Sequence, residues 1–241
     1  MSSIQIGTSG WSYPHWRGAF FPEDLPGSAW LDYYAQRFAT VELNNAFYQL
    51  PSTSTLERWA ATVPDGFCFA VKASRYITHM KKLKNARDTV PRFCDTIAAL
   101  GDRLGPILFQ LPPNWRCNVA RLQDFLAQLP AGHRYTLEFR DPSWFTPAVY
   151  ACLAEANAAL CIYELEHHQT PLEVTADFVY VRLHGPGDAY QGSYDDATLA
   201  GWAERLRTWA DEGRDVYCYF DNDEAGYAAQ DAARLQQRLA G

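Results

Sequence analysis

No apolar run in this sequence approaches the roughly 18 residues that a membrane-spanning helix needs, so no membrane association is expected. The opening residues, MSSIQIGTSGWSY, lack both the basic stretch and the apolar core of a signal peptide, and none is expected. Low-complexity tracts, Ser/Gly linkers and breaks in composition are missing too, so residues 1–241 read as a single domain. The six cysteines are scattered and form no CxxC pair. Cys68, Cys161 and Cys218 fall inside strand-like runs, where cysteine acts as a small buried hydrophobe. A reduced, cytoplasmic protein is the expectation.

Several chemical signatures are also absent. The turn after the first apolar run, GTSGWSY, has neither the G-x-G-x-x-G of a dinucleotide site nor a Walker lysine. There is no HExxH and no G-x-S-x-G. Glu166, His167 and His168, or His184 with Asp221, are conceivable metal ligands, but their spacing matches no metal motif. No metal and no cofactor are expected.

Positive charge is scarce overall, with a formal net charge of -7 and a pI near 5.3. That excludes a general nucleic-acid coat, which draws on spread positive charge. The exception is FCFAVKASRYITHMKKLKNAR, residues 67–87. It carries Lys72, Arg75, Lys81, Lys82, Lys84 and Arg87 and no acidic residue.

What is present is core material, 48% apolar and 15% aromatic. Eight short β-prone runs recur at 4–9, 40–44, 68–72, 106–110, 135–139, 159–163, 178–184 and 216–220. Amphipathic stretches of helical length separate most of them. In TVPRFCDTIAALGDRL, Val90, Phe93, Ile97, Leu100 and Leu104 share one face, with Pro91 placed in a first turn. The crossover Glu164–Asp177 is too irregular for a full helix. This rhythm predicts an α/β fold, a single (β/α)8 TIM barrel, over a doubly wound sheet.

In such a barrel alternate side chains point inward, and functional groups gather at the C-terminal strand ends. Parity sends Phe69, Val71, Val41, Leu43, Leu137 and Phe139 outward to the helices. It leaves Glu42, Lys72, Gln110, Glu138, Arg140, Arg182 and His184 inward, with Asp221 and Asp223 ending the last strand. A buried ionic network that holds the barrel together is the alternative to a site, because buried charges need partners in either case. Trp11, Tyr13, Trp16, Phe47, Tyr48, Trp115, Trp144, Tyr190 and Tyr194 follow the strands, as a stacking rim or as ordinary packing. The basic loop is either solvated surface or a phosphate clamp of Arg75, Lys81 and Lys82.

These features join most simply in a hydrolase or lyase acting on a phosphate-bearing ligand such as a nucleotide, a sugar phosphate or a nucleic-acid end. Lys72, Arg75 and Arg182 would bind phosphate, Glu138 or Glu42 would be the general base, and His184 the acid. Trp11, Tyr13, Tyr48, Gln110, Arg140, Asp221 and Asp223 would complete ligand binding. A Schiff-base role for Lys72 is a variant. Two other readings stand beside it. One is a carbohydrate-active enzyme using two of Glu42, Glu138 and Asp221. The other is a non-catalytic module that holds nucleic acid.

The sequence also resembles the YecE-like family, a group of unknown function. The matching stretches are IGTSGWSYPHWRGAFFP, VELNNAFYQLPS, FAVKASRYITHMKKL, GPILFQLPPNW, LEFRDPSWF, TADFVYVRLHGP with YQGSY, and VYCYFDNDEAGYA. They run in the family's order from about residue 4 to residue 232. The resemblance implies a TIM barrel. It places motif positions at Trp11, Tyr13, Glu42, Phe47, Tyr48, Lys72, Ser74, Arg75, His79, Gln110, Glu138, Arg140, Arg182, His184, Asn222 and Asp223. Asn45-Ala46 stands in place of Ser-Thr, and Asp141 in place of His, so a His-dependent role at 141 is closed to this protein. The resemblance implies no reaction.

Overall fold

Residues 2–240 are described by a computed structural model. In chain order the elements are β1 (Ile4–Thr8), α1 (Trp30–Ala35), β2 (Thr40–Leu43), α2 (Asn45–Tyr48), α3 (Thr53–Thr62), β3 (Cys68–Lys72) and α4 (Ala86–Ile97). Then come β4 (Leu104–Gln110), α5 (Val119–Leu126), β5 (Tyr135–Glu138), α6 (Pro147–Glu155), β6 (Ala159–Leu165) and the two-residue β7 (His168–Gln169). The chain continues with β8 (Phe178–Leu183), α7 (Asp196–Asp211), β9 (Asp215–Phe220) and α8 (Tyr227–Ala240).

Strands other than β7 pair in parallel in the order β1-β9-β8-β6-β5-β4-β3-β2, a nearly closed barrel ringed by helices. β7 adds only a short antiparallel pairing with the end of β6, and no helix bridges β6 to β8, in line with the irregular Glu164–Asp177 segment. The helices begin where the sequence supplies side-chain caps. Ser52, Asn118, Thr146 and Asp195 each accept a backbone N–H of the first turn. Pro91 lies in the second turn of α4, not the first, because that helix already starts at Ala86; it removes one helix hydrogen bond.

β1 and β2 share no ladder, only a bridge between Ser9 and Glu42. Other contacts close this seam. Tyr34 of α1 accepts from Thr8 N at 2.9 Å and donates to Thr40 O at 3.0 Å, tying the two strands through one hydroxyl. Gly7 faces the Thr40 carbonyl so closely that any Cβ there would collide with backbone.

Parity sorts the core into two layers. Outward residues, among them Val41, Leu43, Phe69, Val71, Phe109, Leu137 and Phe139, pack against the helices. A second apolar cluster fills the barrel itself, with Ala70, Leu108, Cys161, Tyr163, Phe178, Tyr180, Tyr217 and Tyr219. Arg134 closes the lower end, paired with Asp215 at 2.8 Å and donating to Tyr217 at 2.7 Å. Because aromatic rings plug the lower barrel, the polar strand ends above them form a floor that solvent reaches from one side only.

Candidate functional site at the barrel mouth

Arg182, near the end of β8, is the hub of that floor and is fully buried. Its Nε donates to Glu42 at 3.0 and 3.2 Å. Its Nη2 reaches Glu42 at 2.7 Å, Ser9 Oγ at 3.1 Å and Asp221 at 3.0 Å. Nη1 reaches Glu138 at 2.9 Å and His184 Nε2 at 3.3 Å. Three carboxylates from β2, β5 and the end of β9 thus converge on one guanidinium, and every nitrogen of the fork is in use. The carboxylates favour the cation strongly enough to overcome burial and raise its pKa well above the ordinary value.

Glu42 and Glu138 are closed groups. Glu42 also accepts from Tyr180 at 2.6 Å and from Ser9 Oγ. Glu138 accepts from Arg140 Nε as well as from Arg182, with the Cys161 thiol at 3.8 Å. Burial alone would raise Glu138, but Arg140 and Arg182 outweigh it and hold the carboxyl below the usual range. His184 is equally enclosed. Its Nε2 faces Arg140 Nη2 at 3.0 Å and Arg182 Nη1 at 3.3 Å, so this nitrogen must accept. Nδ1–H then donates to Asp221 Oδ2 at 3.0 Å. Burial, together with Arg182 and Arg140, pushes the imidazole well below its ordinary pKa, and it is neutral.

Three groups keep open valences toward the mouth. Lys72, ending β3, makes no hydrogen bond or ion pair among the described residues; its Nζ lies 4.5 Å from the centre of the Phe47 ring. Burial and the nearby Arg182 lower its pKa, against the pull of Glu138 and Glu42. Arg140 uses Nε and Nη2 but has no partner for Nη1. Asp221 receives both Arg182 and His184 on Oδ2, leaving Oδ1 without a partner among the described residues. Burial raises the Asp221 pKa, and Arg182 and Lys72 only partly offset it. The Gln110 Oε1, at the end of β4, is buried without a partner as well.

The other expected residues are more dispersed. Tyr48 stands exposed on the rim, as does Arg75. Tyr13 donates to the Ser9 carbonyl at 2.6 Å and so braces the floor from below the rim. Trp11 turns away from the barrel axis onto Trp59 and Phe69, with ring centroids at 5.0 and 6.4 Å. There it lines a side cleft of about 540 Å³ with Tyr13, Asn44, Arg58 and Trp59. Asp223 lies 3.8 Å from His15, off the floor. Asn222 is structural. It donates to the Gly192 carbonyl at 2.8 Å and to Asp231 at 2.9 Å, fixing the loop that carries Tyr190. Tyr190 packs edge-on to His184, 5.4 Å between centroids.

Sequence reasoning missed Ser9 and Tyr180 as partners of Glu42. Tyr180 was within reach, since it precedes Arg182 by two residues on the inward parity of β8. Ser9 lies one residue beyond β1 and joins the floor only because β1 meets β2 across the barrel seam.

With this geometry in place, comparison with known proteins is informative. The family described as "Protein of unknown function DUF72" matches residues 5–241. The UPF0759 protein YunF of Bacillus subtilis (strain 168) is 25% identical, an alignment that covers 98% of this chain and 94% of that protein. A DUF72 family protein from Thermotoga maritima MSB8 superposes with a TM-score of 0.89 at 26% identity, covering 99% of this chain and all of that one. A DUF72 family protein from Enterococcus faecalis V583 gives 0.83 at 22%, over 99% and 96% of the two chains, a likeness of fold. These matches correct the expected family: the assignment is DUF72/UPF0759, not the YecE-like family to which the motifs pointed.

Proposed function

Because the chain belongs to the DUF72 family, whose description names no function, we propose its activity from the mouth itself: a hydrolase or lyase acting on a phosphate-bearing ligand. One observation carries the reading. Lys72 holds a half-buried cation at the mouth with no anionic partner among the described residues, while Glu42 and Glu138 are spent on Arg182 and Arg140 and Asp221 gives Arg182 only one oxygen. A buried charge without a counter-charge is costly, and an incoming anion supplies one.

The roles differ from those the sequence suggested. Lys72 Nζ and Arg140 Nη1 are the cationic donors open to a phosphate. Asp221 Oδ1 takes over as general acid–base, because burial has raised its pKa and nothing occupies that oxygen. In hydrolysis it would accept the proton of the attacking water; in elimination, the proton leaving carbon. Glu42, Glu138, Arg182 and His184 act by positioning: they hold Asp221 and Arg140 in register, and each of their polar side-chain atoms already has a partner. Gln110 Oε1 is available to a ligand hydroxyl or N–H. The carbohydrate-active reading is weaker, since it needs two free carboxylates and of the three candidates only Asp221 keeps an oxygen without a partner. The six thiols are free of disulfides among the described residues, which suits the cytoplasm.

The test is a thermal-unfolding screen with nucleotides, sugar phosphates and neutral sugars. A ligand at 100 times its Kd should add about 2.7 kcal/mol of stability. Phosphate compounds should stabilise the protein, Lys72→Ala should abolish the shift, and Asp221→Asn should keep binding while losing turnover. Stabilisation by neutral sugars alone would sink the proposal. Turnover that survives Asp221→Asn would reduce the protein to a binding module.

A further inference from the structure

We infer that the phosphate-bearing ligand is a single-stranded nucleic acid, laid across the rim with its bases on exposed aromatic rings and its backbone on the basic loop. This rests on the phosphate reading above and names the substrate class.

The exposed large apolar side chains are Tyr48 at 74%, Met80 at 65%, Tyr76 at 43%, Tyr190 at 42% and Leu172 at 41%. All but Leu172 sit on the segments that follow barrel strands at their C-terminal ends, after β2, β3 and β8. Scattered exposed hydrophobes are ordinary, but a set gathered around a mouth marks a contact surface.

The cations on the same face are unpaired. Elsewhere on the molecule the cations are mixed: Arg103, Arg134, Arg214, Arg234 and Arg238 each hold a carboxylate, whereas others such as Arg58 and Arg205 hold none among the described residues. Arg75, Lys81, Lys82, Lys84 and Arg87 hold none among the described residues, although the chain is acidic overall. An acidic protein that gathers five such cations within residues 75–87, with no acidic residue among them, has a surface suited to a polyanion.

Aromatic and cationic groups also lie side by side on this face. Tyr48 meets Phe47 at 5.0 Å and Phe47 meets His79 at 5.0 Å between centroids. Lys81 lies 5.3 Å from the ring centre of Tyr76, and Lys82 lies 5.8 Å from that of Trp115. The loop is held in this shape. Lys82, Leu83 and Asn85 are all left-handed, and the buried Leu83 anchors the turn so that the flanking lysines face outward. Rings and cations set side by side fit a strand whose bases are free to stack and whose phosphates repeat beside them. Duplex bases have their faces occupied by each other, and an acidic peptide offers no flat rings at that spacing.

The deciding experiment is fluorescence anisotropy of the full chain with labelled oligo-dT and oligo-U of about 12 nucleotides, within the range that single-strand sites cover. A duplex of equal length, an abasic oligomer with the same phosphates, and heparin are the comparisons. Oligo-dT or oligo-U should bind at least about tenfold more tightly than all three, and the stronger of the two identifies DNA or RNA. Tyr48→Ala and Tyr76→Ala should each weaken that binding roughly 5- to 100-fold without moving the unfolding midpoint, since both rings are exposed. Equal binding of abasic oligomer, heparin and oligo-dT, with both tyrosine variants silent, overturns the single-strand inference but leaves the phosphate reading standing. Tighter duplex binding overturns it in favour of double-stranded nucleic acid. No binding to any polyanion, with no thermal shift from phosphate compounds, overturns both readings.

Discussion

At the residue scale, Arg182 and Lys72 show that a buried and a half-buried cation on the same floor can have opposite consequences. Arg182 is matched nitrogen by nitrogen, so removing it strands Glu42, Glu138 and Asp221 together. Arg182→Met is expected to cost about 3–5 kcal/mol in urea unfolding. Lys72 has the reverse sign. Its lowered pKa means that the charged form is less favourable folded than unfolded at pH 7. Lys72→Met keeps the stem against Phe47, deletes that unfavourable charge, and should raise the unfolding midpoint while weakening phosphate binding at least about tenfold. A lower midpoint would show that Lys72 is held by the carboxylates and not free for a ligand. His184 governs the pH response in mildly acid solution. The unfolded imidazole takes a proton below its ordinary pKa of 6.5, whereas the folded one refuses it, so stability falls as the pH drops below that value. Glu138 acts in the same direction further down, its contribution complete above about 4.5 and lost as the pH falls through its lower folded value. Asp221, with a raised pKa, works the other way and gains stability on protonation. Unfolding midpoints between pH 7 and 5 should therefore decline in the wild type and decline less in His184→Gln, where only His79, lowered by burial and by Lys72, still acts in that direction.

At the element scale, the seam between β1 and β2 is the weak place of the barrel, because one bridge replaces a ladder. Tyr34→Phe removes the only side-chain donor to Thr40 O among the described residues and the acceptor of Thr8 N. The expected loss is about 1–3 kcal/mol, read as a midpoint lowered by roughly 2–4 °C per kcal/mol for a chain of this size. An unchanged midpoint would mean that water or the rest of the sheet replaces the hydroxyl. Most strands and their parity were legible, since a side-chain period of two gives each run one apolar face and one polar end, as in TVEL and YTLE. The second-turn position of Pro91 was not, because local periodicity marks a helix face better than its first residue.

At the scale of the whole molecule, the contrast between an acidic body and an unpaired basic loop should steer anions to the mouth. Exposed charges act over a screening length of about 10 Å at 0.1 M salt. Association rates with oligo-dT, measured by stopped flow, should fall steeply with ionic strength. Replacing Lys81, Lys82 and Lys84 by glutamine should flatten that dependence. A salt-independent rate would place the encounter elsewhere on the surface.

Taken by itself, the sequence determined the barrel, its irregular crossover and the set of ionisable strand ends. Those are written in periodicity and parity, which need only near neighbours along the chain. It also located the basic loop, because charge counts do not depend on folding. Which carboxylate remains free was decided by the tertiary structure alone. Glu42, Glu138 and Asp221 are equivalent when read as strand ends, and they become unlike only when Arg182, from a distant strand, distributes its nitrogens among them. The same holds for His184, whose neutral state follows from two arginines brought to one ring nitrogen. It holds too for Lys72, whose availability consists in partners that went to other cations first.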